Sequence, residues 1–255
     1  METLHNGFTL EYCENAFPFS TDSMLLADFA SLSKNAKVLD LGAGCGTLGV
    51  MLCAKDADCA VTGIELDACA HEMAQRNAVA NKIESRLMSI CGDINNISAL
   101  VKASSFSVCI SNPPYFTSGF KSQTLAAARH EDACSMDSLF RAVGWALKYG
   151  GDFFLVHKPE KLAELCACAA AHKLEAKRLC LLRHRSDGPV TLILVQCRKG
   201  GKPGLLWEEV SLYNEDGQPT PYYNSLYHLQ LHNIILNHLD IRIQILNGCG
   251  NLLKR

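Results

Sequence analysis

Short apolar runs alternate along this chain with stretches of helical spacing. Residues 37–41, 59–65, 85–91, 106–111, 152–157, 174–183 and 189–197 read as strands, and 37–41 is of the buried type. Helical patterns occupy 47–55, 68–81, 95–102, 136–148 and 159–172. In 68–81 the residues Ala70, Met73, Ala74, Asn77 and Ala78 recur at helical spacing, and Asp67 stands in the cap position. In 136–148 the residues Leu139, Val143, Trp145 and Leu147 read as one core face. Upstream, 8–13 alternates like a strand. Thr21 or Asp22 can then cap a helix that buries Met24, Leu25 and Phe29. This rhythm implies an α/β fold with a mostly parallel sheet and helices on both faces. Only 185–189 separate the last two strands, so they form a hairpin and the final strand runs antiparallel. Residues 116–134 form a long loop of low periodicity, a type often used for function. Residues 198–204 form a flexible basic loop.

Composition narrows the class. The chain has 255 residues, 48% hydrophobic and 20% charged, as expected of a globular protein with one α/β domain or a domain and a small appendage. No run is long and apolar enough to suggest a membrane span, and no basic-then-apolar leader opens the chain. The 13 cysteines are odd in number and scattered. Cys53, Cys59, Cys109 and Cys180 lie in apolar surroundings, no CxxC occurs, and Cys166 and Cys168 would face different ways on a helix. A reducing cytoplasm and no metal site are expected. The net charge of −2 hides an asymmetry. Residues 1–60 carry three lysines against eight acids, whereas 173–202 carry eight basic residues against two acids. Such a basic stretch suggests a nucleic-acid partner, or charges that are merely solvated.

Candidate chemistry gathers at the carboxyl ends of the strands. Gly42, Gly44, Gly46 and Gly49 end one strand and open a helix, where backbone can approach a ligand and helix donors face it. Gly44-x-Gly46-x-x-Gly49 also matches the dinucleotide fingerprint, and Glu65, 19 residues after Gly46, suits a ribose diol in either class. Three details favour S-adenosylmethionine (SAM). Asp40 precedes the loop, where it can help bind an ammonium but would repel a pyrophosphate. Asp93 can accept from an adenine amino group. Asn112-Pro-Pro-Tyr115 follows the fourth strand. There the Asn112 side-chain oxygen and the Pro113 carbonyl can accept from a planar amino group, Pro113 and Pro114 fix the loop, and Tyr115 offers a stacking face.

The set Asp40 to Gly46, Glu65, Asp93 and Asn112 to Tyr115 resembles the amino-directed SAM-dependent methyltransferases across 37–160. Phe19-Ser-Thr-Asp-Ser-Met-Leu-Leu-Ala-Asp28, Ala128-Arg-His-Glu131 and Gly150-Gly151 make it similar to the tRNA1(Val) adenine N6-methyltransferase family, over roughly 5–228. That resemblance implies a Rossmann-like seven-stranded sheet, cofactor contacts from Thr21 and Asp22, and N6-methylation of an adenine beside the anticodon. Catalysis would be mostly in-line positioning, worth about 7–11 kcal/mol in well-oriented systems. The target base must first be unstacked. Arg129, His130, Lys199 and Lys202 are candidate RNA contacts. Residues 1–228 then form one methyltransferase domain, with an extension at 1–36 and a catalytic core at 37–200. Residues 229–255 exceed the family pattern and read as a disordered tail, an oligomerisation helix or an artefact; a monomer is expected. Two other readings stay open: methylation of a protein glutamine amide, and an RNA chaperone without catalysis.

Overall fold

The computed structural model of the protein describes residues 2–4, 7–13, 20–113 and 135–228. Two short strands, β1 (Glu2–Thr3) and β2 (Thr9–Leu10), pair antiparallel as a separate ribbon. The main sheet follows in chain order as β3 (Lys37–Leu41), β4 (Ala60–Glu65), β5 (Leu87–Cys91), β6 (Phe106–Ser111), β7 (Leu147–His157), β8 (Leu174–Arg185), β9 (Val190–Lys199) and β10 (Leu206–Tyr213). Its spatial order is β10-β8-β9-β7-β6-β3-β4-β5. Only β9 runs antiparallel, to both of its neighbours. The helices are α1 (Thr21–Phe29), α2 (Thr47–Lys55), α3 (Ala68–Ala80), α4 (Ile97–Leu100), α5 (Met136–Ala146), α6 (Leu162–Ala171) and α7 (Pro221–His228).

Alternate strand residues feed two separate cores, because side chains on a strand point to opposite faces in turn. Val38, Val108, Ile110, Phe154, Val156, Leu192 and Leu194 pack with α1, α2 and α7. Leu39, Cys109, Phe153, Leu155, Ile193 and Val195 pack with α5 and α6. Edge-to-face rings mark both layers: Phe29 on Phe154 at 6.0 Å, and Phe140 on Phe153 at 5.3 Å. Lys55 closes the end of α1. Its buried ammonium donates to the carbonyls of Ala27, Asp28 and Ala30 at 2.9–3.0 Å, where the helix dipole favours a cation. Burial pulls its pKa below the usual lysine value.

The expected seven strands become eight. Leu206–Tyr213 adds itself in parallel along the free edge of β8, from Leu206 opposite Arg178 to Tyr213 opposite Arg185. A half-exposed edge strand has little apolar signal, and Glu208 and Glu209 obscure it further. The hairpin joining β8 and β9 is as expected, but its second strand is not the last. Gly150 and Gly151, a loop by pattern, lie in a bulge inside the eleven-residue β7. Trp145 does not join the core face of α5; it is 40% exposed, and its Nε1 donates to the Val101 carbonyl at 3.1 Å. Residues 116–134 and 229–255 lie outside the described residues.

Candidate functional site

Four neighbouring strands deliver the candidate residues to one edge of the sheet. Asp93 follows β5, Glu65 ends β4, the glycine loop follows β3, and Asn112 follows β6. These strands are adjacent in the order β5-β4-β3-β6. At about 4.8 Å per strand, the row from Asp93 to Asn112 spans about 14 Å.

The glycine loop is shaped by positive backbone angles, φ +73° at Gly42, +55° at Gly44 and +81° at Gly46. Such angles strain any residue with a Cβ. The Gly42 and Ala43 amides both donate to the Ile64 carbonyl at 3.0 Å, which bends the loop over β4. Close packing seals the bend, since a Cβ on Gly63 would stand 2.7 Å from the Ala43 Cβ. Glu65 ties the loop to α3: Oε2 accepts from the Gly44 amide at 2.7 Å and Oε1 from the Asp67 amide at 2.8 Å. Asp67 caps α3, accepting from the Ala70 amide at 2.9 Å. Asp93 caps a short 3-10 turn in the same way, from the Asn95 amide at 2.8 Å. No side chain caps α2, which leaves amide donors facing the loop.

Asp40 is the anomaly of the site. It is 1% exposed, and neither carboxylate oxygen finds a hydrogen-bond donor. Burial, reinforced by the Glu65 charge, pushes its pKa up to about 8. Buried polar groups are rarely left unpaired, so this pair of acceptors suits an outside donor such as a ligand ammonium or a bridging water.

Asn112 is held from behind. Its Nδ2 donates to Ser23 Oγ at 3.0 Å, and Ser23 lies 3.4 Å from Ser20 Oγ at the N-cap of α1. With the amide nitrogen engaged, Oδ1 is left as the free acceptor. The same contact sets the first turn of α1, with Thr21 and Asp22, beside Asn112. Pro113 is buried. Pro114, Tyr115, Arg129 and His130 lie outside the described residues.

Comparison with known proteins agrees with this geometry. The family model of the methyltransferase small domain matches residues 12–166. The chain belongs to that family. A protein named tRNA1(Val) (adenine(37)-N6)-methyltransferase from Photobacterium profundum is 29% identical over 81% of this chain and 88% of its own length. A protein of the same name from Shewanella halifaxensis is 37% identical over 64% of this chain and 65% of its own length. Among solved structures, a predicted O-methyltransferase from Agrobacterium tumefaciens matches with a TM-score of 0.69 at 21% identity, over 84% of this chain and 100% of that one. That likeness shows the fold.

In this methyltransferase small domain, two asparagines that sequence reading took for helix positions hold the site together. Asn77 is buried in α3. Its Oδ1 accepts from the Glu11 amide at 2.9 Å, and its Nδ2 donates to the carbonyls of Glu11 and Cys45 at 2.9 and 2.8 Å. One turn on, Asn81 brackets Thr9 in the same manner, with both bonds at 2.7 Å. The pair receives the N-terminal segment as a neighbouring strand would and fastens it to the glycine loop. The signal lay in Asn77 itself, a polar residue on an apolar helical stripe.

Most basic residues of 173–202 have partners within the protein. Lys199 Nζ donates to the carbonyls of Gly144 and Leu147 at 2.6 and 2.8 Å, closing the end of α5. Two of its three donors are thus engaged inside the protein. Register places Arg198 and Lys199 toward the opposite end of the sheet from Asn112. Arg198 pairs with Asp152, which pairs with Val108, four residues below Asn112, or about 13 Å along the strand. The Lys202 carbonyl accepts from Lys177 Nζ at 2.8 Å, in the turn that leads from β9 to β10. Arg178 bridges Glu208 and covers the Phe29 ring at 4.4 Å, Arg183 bridges Glu209, Arg185 bridges Asp187, and Arg198 bridges Asp152. Asp152, Glu208 and Glu209 from outside the stretch therefore offset about half of the charge excess of 173–202, in which Asp187 is already counted.

Proposed function

We propose that this chain transfers the methyl group of SAM to the N6 amino group of an adenine in tRNA, beside the anticodon. The observation that carries the reading is the linear order of Asp93, Glu65, the Asp40 loop and Asn112 along four adjacent strand ends. It matches the linear order of adenine, ribose and amino-acid moiety in SAM, with the acceptor clamp at the far end. The residues fit the cofactor on one further point, the unpartnered Asp40 carboxyl that suits its ammonium. Asp93 would accept from the adenine amino group, Glu65 would hold the ribose hydroxyls, and Gly42, Gly44 and Gly46 would allow close approach, with Thr21 and Asp22 at the near end of α1. When bound, SAM supplies an electrophilic methyl on a positively charged sulfur.

Asn112 Oδ1 and the Pro113 carbonyl would each accept one hydrogen of the substrate amino group, which turns the nitrogen lone pair toward the donor. Ser23 acts as a positioning residue by holding the Asn112 amide in the orientation that exposes Oδ1. Pro114 would stiffen this clamp, Tyr115 would stack on the base, and Arg129 and His130 would meet RNA. The names of the relatives favour tRNA over a protein glutamine amide. Labelled methyl transfer from SAM to purified tRNA, with peptide glutamine as the second arm, tests this. Position-mapped N6-methyladenosine is expected; methyl found only in peptide would refute the acceptor. Asn112→Ala should abolish transfer with SAM binding retained. Ser23→Ala should lower kcat about tenfold, the worth of one hydrogen bond, with little change in KM for tRNA. A change in KM alone would remove the positioning role.

A further inference from the structure

Three thiols and one carboxylate from separate segments meet beside the glycine loop. Cys13 Sγ lies 3.7 Å from Cys45 Sγ. Cys13 Sγ, Cys69 Sγ and a carboxylate oxygen of Asp67 all lie within 4.8 Å of one another. Cys13 belongs to the N-terminal segment, Cys45 to the turn into α2, and Asp67 and Cys69 to the cap and first turn of α3. In a tetrahedral zinc–thiolate site with Zn–S near 2.3 Å, sulfur–sulfur edges are about 3.8 Å. The Cys13–Asp67–Cys69 edges need close by at most about 1 Å to reach that length, and Cys45 borders the group through Cys13. Cys69 is exposed and Cys13 half-buried, so the adjustment disturbs no core packing. Asp67 accepts from the Ala70 amide through Oδ1, which fixes its carboxylate and leaves Oδ2 to coordinate. Glu65 stands next to the cluster but uses both oxygens on backbone amides. Sulfur-rich donor sets select soft or borderline cations over magnesium or calcium.

We infer that Cys13, Cys69 and Asp67, with water completing the shell, bind a thiophilic divalent cation of the zinc class. The ion would join the N-terminal segment to α3, two parts that Asn77 and Asn81 already link by hydrogen bonds. It would act as a structural strap, with no part in group transfer, and the inference stands independently of the methyl-transfer reading. Coordination displaces the thiol protons, so binding strengthens as pH rises. Burial holds the Cys13 and Cys45 pKa values above the ordinary thiol value, and the contact with Cys13 does the same for Cys69.

The test titrates the reduced, metal-free full chain with Co2+. The expected spectrum shows the visible bands of a tetrahedral site together with sulfur-to-cobalt charge transfer, both abolished by added Zn2+. Cys13→Ser and Cys69→Ser should lose the charge-transfer intensity, whereas Cys166→Ser, on α6, should keep it. In the unmutated protein, Zn2+ should protect Cys13 and Cys69 from alkylation, read by peptide mass, so the proposal does not hang on variants that fail to fold. Absence of charge transfer, its persistence in both Cys13→Ser and Cys69→Ser, or unprotected Cys13 and Cys69 at saturating Zn2+ would overturn it.

Discussion

Replacing Asp40 with Asn isolates the most strained electrostatic feature of the site. In the folded protein the carboxyl holds its proton up to about pH 8, whereas the unfolded chain releases it near the ordinary value of 3.8. Between those values the folded state carries the extra proton, so stability falls as pH rises. Each pH unit is worth about 1.4 kcal/mol, and the whole window amounts to about 6 kcal/mol as a ceiling, since water admitted to the loop lowers it. Asp40→Asn removes this loss. The difference in unfolding free energy between variant and parent, measured without ligand by urea titration, should therefore grow steadily from about pH 4 and level off above about pH 8. SAM tests the same group from the other side. Its ammonium would draw the proton off Asp40, so binding below pH 8 should release a proton and tighten as pH rises, by up to tenfold per unit. Calorimetry in buffers of different ionisation enthalpy reads that proton directly. The variant should bind more weakly, with no proton release. An equal pH slope of stability in both proteins, or SAM binding to the parent without proton release, would refute the reasoning.

Four further substitutions probe how the site is held. Asn77→Ala removes three buried hydrogen bonds to Glu11 and Cys45 and should cost about 2–3 kcal/mol in chemical denaturation; faster proteolysis upstream of Thr21 should accompany it. Gly63→Ala drives a Cβ to 2.7 Å from the Ala43 Cβ and should cost about 1–3 kcal/mol and weaken SAM binding, with Ala43→Gly recovering part of both. Lys199→Met should lower the melting temperature while the salt slope of tRNA binding stays unchanged, and Lys202→Gln should alter neither. A flattened salt slope in either lysine variant would return that residue to the RNA surface.

The fold class was legible because its signals are local. Runs such as 37–41 and 106–111 coincide with β3 and β6 in full, since a strand buried on both faces is predominantly apolar. The glycine loop and Asp67 were readable because positive φ and helix capping each demand particular residue types. The edge strand β10 was not legible, because a half-exposed strand needs few apolar residues and its partners Arg178 and Arg183 lie far upstream. The tie between Ser23 and Asn112 spans 89 residues, and a serine in a helix carries no mark of it.

The residue row alone determined the alternation of strands and helices and the residue types of Asp40, Glu65, Asp93 and Asn112, because local sterics and chemistry write those directly. Only the tertiary structure decided the use of the charges at 173–202 and of Asn77. Ion pairs and strand-like bridges depend on which distant segments become neighbours, and the pairing of the sheet alone sets that. The same pairing set Lys199 behind α5, away from the edge that carries Asn112.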